Sequence, residues 1–209
     1  MAEVDHIFIC AARGAPAAER LIEFGLGEGP PNRHPGQGTA NRRFFFDNFM
    51  LELLWLEDAA EAQSDETRRT LLWERWSAGS SASPFGIILR PSAADESCPF
   101  EAWRYAPSAM PGLVLEIASS CGIDEPMWCY LNAGRSPKGV GHAAGLHELT
   151  GIRLCGPLPA MDSVTAAMAR RGVVSLAAAE ERWLELEWDG RPRGERTDFR
   201  PALPLVFWR

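Results

Sequence analysis

The chain has 209 residues, of which 46% are apolar, 23% are charged and 10% are aromatic, and its formal net charge is -7 at pH 7. This composition is typical of a globular protein and excludes intrinsic disorder. The acidic balance argues against general nucleic-acid binding, which requires a basic face. No apolar run approaches the roughly 18 residues of a membrane span, so a membrane partner is not expected either.

The N-terminus and the cysteines indicate a compartment. The first residues, Met-Ala-Glu-Val-Asp, are acidic where a secretory signal would be basic, and no apolar stretch of the required length follows them. The five cysteines are scattered along the chain without a CxxC pair. A reduced, cytoplasmic protein is therefore expected.

The first part of the chain predicts a strand, a helix and two further strands. The alternation over residues 4–10 predicts a strand that carries His6 and Phe8 on one face. Glycines after residue 24 end the predicted helix, and a Gly/Pro-rich loop precedes a hairpin. The predicted elements are a strand over 4–10, a helix over 16–24, and strands over 39–46 and 49–56.

The remainder predicts a connecting helix, a second strand series and a final unit that repeats the strand–helix–strand–strand order. In that final unit, Asp162 is the predicted helix cap and Gly172 its end. The predicted helix covers 65–76, followed by a small-residue linker over 77–83 and strands over 85–89, 100–105, 113–117, 127–131, 150–154, 173–176, 182–188 and 203–208.

Four segments resemble the glyoxalase-like branch of the vicinal oxygen chelate superfamily. Val-Asp-His-Ile-Phe-Ile at 4–9 is similar to the first strand of the family's βαβββ module, and Met-Leu-Glu-Leu-Leu at 50–54 to the strand that brings a carboxylate to a metal. Arg-His-Pro-Gly-Gln-Gly-Thr-Ala-Asn-Arg at 33–42 resembles an HPGxGTxN loop, and His-Ala-Ala-Gly-Leu at 142–146 resembles an HPxGL segment.

This resemblance implies an α+β fold of paired βαβββ modules, with mixed, curved sheets around a central cavity and helices outside. The first module with its connecting helix would span residues 1–83. A divergent second module with extra strands and the C-terminal strand–helix–strand–strand unit would span 84–209. Because the family includes isomerases, dioxygenases, epimerases and sequestering proteins, the fold does not choose the function.

The resemblance places a metal-ligand pair at His6 and Glu52, and both residue types bind divalent ions. The second module does not supply matching ligands, since Gly86 takes the place of a histidine and no carboxylate lies in 127–131. Two readings stay open: a divalent metal held by His6 and Glu52, or a metal-free pocket with a hydrogen-bonded His–Glu pair.

The expected function is binding of a small oxygen-bearing metabolite, with a lyase-type, isomerase-type or dioxygenase-like reaction in which Glu52 and His6 are catalytic and Glu52 is the candidate base. The alternatives are a non-catalytic protein that sequesters a small molecule, and a structural module whose cavity is filled by its own tryptophans. A homodimer through Trp73 and Trp76 is also open. The predicted substrate-binding residues are His34, Thr39, Asn41, His142 and Trp128. For His34 and Asn41, capping of their own loop is an equal alternative.

Overall fold

The computed structural model describes residues 2–77, 81–93, 96–132, 139–190 and 194–209. The helices are α1 (Ala18–Glu23), α2 (Ala59–Ala62), α3 (Leu72–Ser77) and α4 (Val164–Arg170), with a 3-10 turn at Arg68–Thr70. The strands are β1 (Glu3–Cys10), β2 (Asn32–His34), β3 (Thr39–Phe45), β4 (Met50–Leu56), β5 (Phe85–Arg90), β6 (Ala102–Tyr105), β7 (Leu115–Ala118), β8 (Met127–Leu131), β9 (Leu149–Gly156), β10 (Ser175–Ala178), β11 (Trp183–Trp188), β12 (Arg196–Asp198) and β13 (Leu205–Trp208).

The first sheet has eight strands and an approximate internal two-fold. Its order is β2-β3-β4-β1-β5-β8-β7-β6, with β1 and β5 antiparallel at the centre. On one side β1 runs parallel to β4, and on the other β5 runs parallel to β8. The mixed, curved half-barrel with few helices confirms the predicted α+β fold class.

The second sheet has the order β10-β9-β11-β13-β12 and packs against one face of the first. The interface is apolar because alternate residues of each strand point the same way. Ile7 of β1 and Leu51 of β4 are fully buried in this layer, where the Phe46 ring lies 4.2 Å from the Trp188 ring. The core of the protein therefore lies between the two sheets.

The opposite face of the first sheet carries a second, smaller apolar cluster. Phe8, Leu54, Ile88 and Cys129 are buried there, one from each of the four central strands. Since the side-chain period of a strand is two, His6 and the other residues in phase with Phe8 also belong to this face. The sequence alternation thus separates the core face from the face that forms a cavity.

The connecting helix predicted over 65–76 is wrong in its continuity. Leu71 has a φ of 58°, which is left-handed and ends the 3-10 turn before α3 begins. The short helix α2 precedes both and is capped by the Asp58 side chain, which accepts hydrogen bonds from two backbone N–H groups. The segment is therefore three short turns that fold across the first sheet.

Two further boundaries differ from the sequence expectation. Ser163, and not Asp162, caps α4 by accepting a hydrogen bond from the backbone N–H of Ala166. Gly172 has a φ of 74° directly after this helix, as predicted for its end. None of the helices in the described ranges combines the length and apolar character needed to cross a bilayer.

Candidate functional site

A cavity of about 340 Å³ opens on the inner face of the first sheet. The segment before α3 and the loop between β6 and β7 cover it. Its polar lining is concentrated on β1–β4, whereas β7, β8 and the covering loop supply mainly apolar side chains. The residues that line the cavity are His6, Phe8, Asn32, His34, Gln37, Asn41, Arg43, Met50, Glu52, Leu54, Thr70, Leu72, Ile88, Tyr105, Met110, Leu113, Leu115, Met127, Cys129 and Leu131.

Glu52 is the carboxylate of the cavity, and it is only 4% exposed. The Asn41 side-chain amide, on the neighbouring strand β3, donates a hydrogen bond to Glu52 Oε1. The Asn41 Oδ1 atom in turn accepts a hydrogen bond of 2.9 Å from the backbone N–H of Asn32. Asn41 is thus oriented from behind, so it holds Glu52 in one position with Oε2 remaining for other contacts.

His6 lies beside this carboxylate, with Nε2 3.8 Å from Glu52 Oε2. Its other ring nitrogen, Nδ1, is 2.7 Å from Asp5 Oδ1, and Arg90 Nη1 donates to Asp5 Oδ2 at 3.3 Å. Burial raises the pKa of Asp5, but the hydrogen bond to His6 and the charges of His6 and Arg90 outweigh burial and lower the pKa overall. Asp5 therefore stays ionised and fixes the imidazole ring.

His34 approaches the same carboxylate from β2. Its Nδ1 atom lies 2.8 Å from Thr39 Oγ1, which accepts a hydrogen bond of 2.8 Å from the Gln37 amide. Burial lowers the pKa of His34, which outweighs the opposite effect of Glu52. We assign the neutral ring with Nδ1 accepting from the Thr39 hydroxyl, which leaves an Nε2–H group to donate a hydrogen bond.

The structure brings together His6, Glu52, His34 and Asn41 on the cavity wall. Thr39 is not among the residues that line the cavity, but its hydroxyl contacts His34 Nδ1 and so supports the ring. Gln37 of the same loop also lines the cavity, as do Arg43 and Tyr105, which sequence reasoning did not select. Arg43 had a usable signal, because it is two residues after Asn41 on the same strand and must share its face.

The predicted ligand contacts of His142 and Trp128 do not reach the cavity. Trp128 is fully buried on the core face of β8, where its indole N–H donates to Thr165 Oγ1 at 2.9 Å. His142 lies 4.3 Å from the Phe46 ring in the layer between the sheets. Trp128 is one residue out of phase with the cavity-lining positions of β8, and His142 lies on the other face of the first sheet. Both residues therefore contribute to packing.

His142 predicts an acid-sensitive stability. The backbone N–H of Gly27 donates to His142 Nδ1 at 2.9 Å, and Nε2 is 3.0 Å from the carbonyl oxygen of Phe45. Burial lowers the pKa of His142 from its ordinary value of 6.5. Protonation would remove the acceptor at Nδ1, so the unfolded chain binds this proton more readily.

We therefore expect the free energy of unfolding to decrease as the pH falls from about 7.5 to about 5, measured by urea unfolding. The stabilisation is present above the ordinary pKa and is lost below it, and His34 contributes in the same direction. His142→Gln should be less stable at neutral pH, and its free energy of unfolding should change less with pH. The exposed His147→Gln is the control, and equal slopes for the two variants would contradict the assignment.

The ligand set does not fit a divalent metal. The two-fold of the sheet, centred where Ile7 pairs with Ile87, takes His6 to Gly86. A Cβ at position 86 would overlap the ring of Phe8, which fills the space of a second histidine. Across the described ranges, no group of three or more His, Cys, Asp or Glu side chains is arranged to hold a metal ion.

The fourth position of such a set is also unsuitable. Glu52 pairs with Phe8 in β1/β4 and Cys129 pairs with Ile88 in β5/β8, so Cys129 is the counterpart of Glu52. Burial raises the pKa of the Cys129 thiol well above its usual range, which keeps it protonated. Burial of Cys129 opposes the thiolate form in which a cysteine binds a metal, and His6 and Glu52 alone make an incomplete site.

We expect Zn²⁺ or Mn²⁺ to shift the midpoint of thermal unfolding of the protein by less than about 2 °C, because binding stabilises only in proportion to affinity. The double variant Phe8→Gly/Gly86→His supplies a third ligand, so its midpoint of thermal unfolding should increase when Zn²⁺ is added. Differential scanning calorimetry with and without EDTA makes the measurement. A metal-dependent increase in the unmodified protein would contradict the assignment.

A second, larger cleft of about 910 Å³ lies between the start of β1 and the end of β5 in the first sheet and strands β9 and β10 with the end of α4 on the other side. It is open to solvent and contains none of the predicted site residues. Its buried cation, Arg90, is occupied by Asp5 and Glu3 and by backbone carbonyls. The chemistry that the sequence indicated is therefore in the smaller cavity.

Comparisons with known proteins agree with this architecture. A family model described as a Glyoxalase-like domain matches residues 4–97, which contain β1–β5. A crystal structure of a hypothetical protein from Staphylococcus aureus is similar over 99% of this chain and 99% of its own, with a TM-score of 0.50 and 10% sequence identity, which bears on the fold alone. No curated protein matches the sequence. The match over residues 4–97 is consistent with the vicinal oxygen chelate superfamily.

Proposed function

We propose that the protein is an enzyme of isomerase or lyase type that moves a proton on a small oxygen-bearing molecule. The observation that carries the proposal is the position of Glu52. Its carboxylate is buried in a ligand-sized cavity, one oxygen is held by Asn41, and the other lies 3.8 Å from His6 Nε2. A fixed carboxylate with a free oxygen in a mostly apolar cavity is suited to general base catalysis.

In this proposal Glu52 Oε2 removes a proton from the substrate carbon adjacent to a carbonyl group. The electron pair of the broken C–H bond moves towards the carbonyl oxygen to give an enol or enolate, which the Nε2–H group of His34 stabilises by a hydrogen bond. His6 Nε2 accepts a hydrogen bond from the protonated Glu52 and shares the proton. Return of this proton to the opposite face of the same carbon completes an isomerisation that inverts its configuration. Alternatively, loss of a β-substituent with its bonding electron pair from the enolate completes an elimination, and the proton on Glu52 neutralises the leaving group.

The alternative is sequestration without turnover. It is favoured by the apolar side chains that form much of the cavity, including Met50, Met110, Leu113 and Leu131. Flexible methionine side chains adapt to ligands of different shape, which suits a binding protein. This reading requires no proton transfer, so binding would survive the change of Glu52 to glutamine.

The test is hydrogen–deuterium exchange at the carbon next to a carbonyl group. Acetophenone and phenylacetone are incubated with the protein in D₂O, and proton NMR follows loss of the signal of the exchanging protons. The proposal expects exchange above the buffer rate in proportion to protein concentration. Binding of these ketones without exchange supports sequestration and overturns the enzyme proposal. If the ketones neither bind nor exchange, the enzyme proposal is overturned as well.

A further inference from the structure

One cation in the cavity has an unused hydrogen-bonding face. Arg43 lines the cavity next to Asn41, and its Nε atom donates to the carbonyl oxygen of Pro30 at 2.9 Å. The guanidinium carbon lies 5.1 Å from the centre of the Phe45 ring, which supports its plane. Within the described part of the chain, its two terminal nitrogens have no hydrogen-bond or ion-pair partner.

The charge of this guanidinium is not neutralised by contact. Arg43 pairs with Glu52 in the register of β3 and β4, but no ion pair within 4 Å joins them in the described residues. Partial burial lowers the pKa of Arg43, with Glu52 acting in the opposite direction. A half-buried cation without a contacting anion is unfavourable, and a ligand anion would relieve it.

A neutral donor lies close to this cation. The charges of Arg43 and Glu52 both affect the pKa of His34, so all three groups are close together. The Nδ1 atom of His34 contacts Thr39, which leaves its Nε2–H group available. A planar guanidinium with two free terminal nitrogens matches the two oxygens of a carboxylate. The other end of the cavity, at Leu113, Leu115 and Leu131, suits an apolar body.

We propose that the cavity binds a small monocarboxylate with an apolar body, whose carboxylate contacts the terminal nitrogens of Arg43, next to the Nε2–H group of His34 that donates to the carbonyl oxygen of the substrate in the proposed function. The proposal names the substrate class for the site of the proposed function. Binding of the carboxylate does not depend on that function, but its turnover does. A monoanion is preferred over a phosphate dianion because the cavity already contains the negative charge of Glu52, balanced by a single cation.

Isothermal titration calorimetry with three probes of similar shape tests this proposal: 3-phenylpropanoate, 3-phenylpropanamide and phenyl phosphate. We expect the acid to bind about tenfold or more tightly than the amide, since a charge-assisted pair replaces a neutral one. Arg43→Met should remove this preference, and Arg43→Lys should keep part of it. Arg20→Met, an exposed arginine on α1 paired with Glu23, is the matched control and should change nothing.

Each other outcome overturns the carboxylate proposal. Equal affinity for the acid and the amide would show that Arg43 does not contact a ligand anion. Tighter binding of phenyl phosphate than of the acid would contradict the preference for a monoanion. Failure of the acid to bind at all also overturns it. These results are independent of the exchange of neutral ketones in D₂O, so the proposed function can stand while the carboxylate proposal fails, and the reverse. Glu52→Gln separates them further, because it should tighten acid binding while abolishing exchange.

Discussion

Glu52→Gln is expected to reduce catalysed hydrogen–deuterium exchange by about 10³-fold, because removing a general base typically costs two to four orders of magnitude. Glutamine keeps the shape of the side chain and retains an oxygen to accept from the Asn41 amide. What it loses is the basic oxygen that lies 3.8 Å from His6 Nε2. The change therefore separates the chemistry from the packing, and the midpoint of thermal unfolding should change little.

The control for this variant is Glu23→Gln. Glu23 is exposed at the end of α1, and within the described ranges its ion-pair partner is Arg20, three residues earlier. It should leave the exchange rate and the ketone affinity unchanged. If Glu52→Gln exchanged as fast as the unmodified protein, Glu52 would not be the base, and the proton acceptor would have to be found among the other polar groups of the cavity.

Arg75→Met is expected to produce the largest loss of stability, about 3 kcal/mol or more. Arg75 is only 4% exposed on α3, and it has no carboxylate within 4 Å in the described residues. Its Nη1 atom donates to the carbonyl oxygens of Ser83, Ile123 and Glu125 at 2.7, 3.0 and 2.8 Å. Methionine fills much of the same space but removes the arginine donor from the carbonyls of Ser83 and Glu125, whereas the Ile123 carbonyl still accepts from the backbone N–H of Ser83.

For a chain of this size a loss of that magnitude lowers the midpoint of thermal unfolding by roughly 6–12 °C, which circular dichroism can follow. Because α3 is tied to the rest of the fold through this arginine, and Leu72 of α3 lines the cavity, ligand affinity should fall as well. Arg68→Met, an exposed arginine paired with Asp65 in the same segment, should change the stability by less than about 0.5 kcal/mol. Similar effects for both variants would mean that Arg75 is not a structural clamp.

Much of the fold follows from a local pattern, the alternation of side chains along each strand. The alternation in 4–10 and 49–56 places His6, Phe8, Glu52 and Leu54 in phase, and these four side chains do line one cavity. The register between β1 and β4 is set by the same alternation, since a shift of one residue would turn Glu52 into the core. The proximity of His6 and Glu52 therefore follows from sequence once the two strands are neighbours.

Other features depend on which surfaces meet in the folded chain. Trp128 and Cys129 are adjacent in sequence, yet one packs between the sheets and the other lines the cavity, and only the position of the second sheet distinguishes the faces. His142 resembled a ligand-loop residue, but the loop after α1 and the end of β3 give it backbone partners at Gly27 and Phe45. Arg75 gave no sequence signal, because backbone carbonyls, not acidic side chains, surround it.

The sequence by itself determined the α+β class, the glyoxalase-like module at the start and the faces of its strands, because side-chain periodicity and turn residues act over a few neighbouring positions. The tertiary structure alone decided which of the predicted residues meet at the cavity, that Phe8 occupies the place opposite Gly86, and that Arg43 has no contacting anion among the described residues. These outcomes arise from contacts between strands that are far apart in the chain, where packing and desolvation select the partners and local sequence does not record the choice.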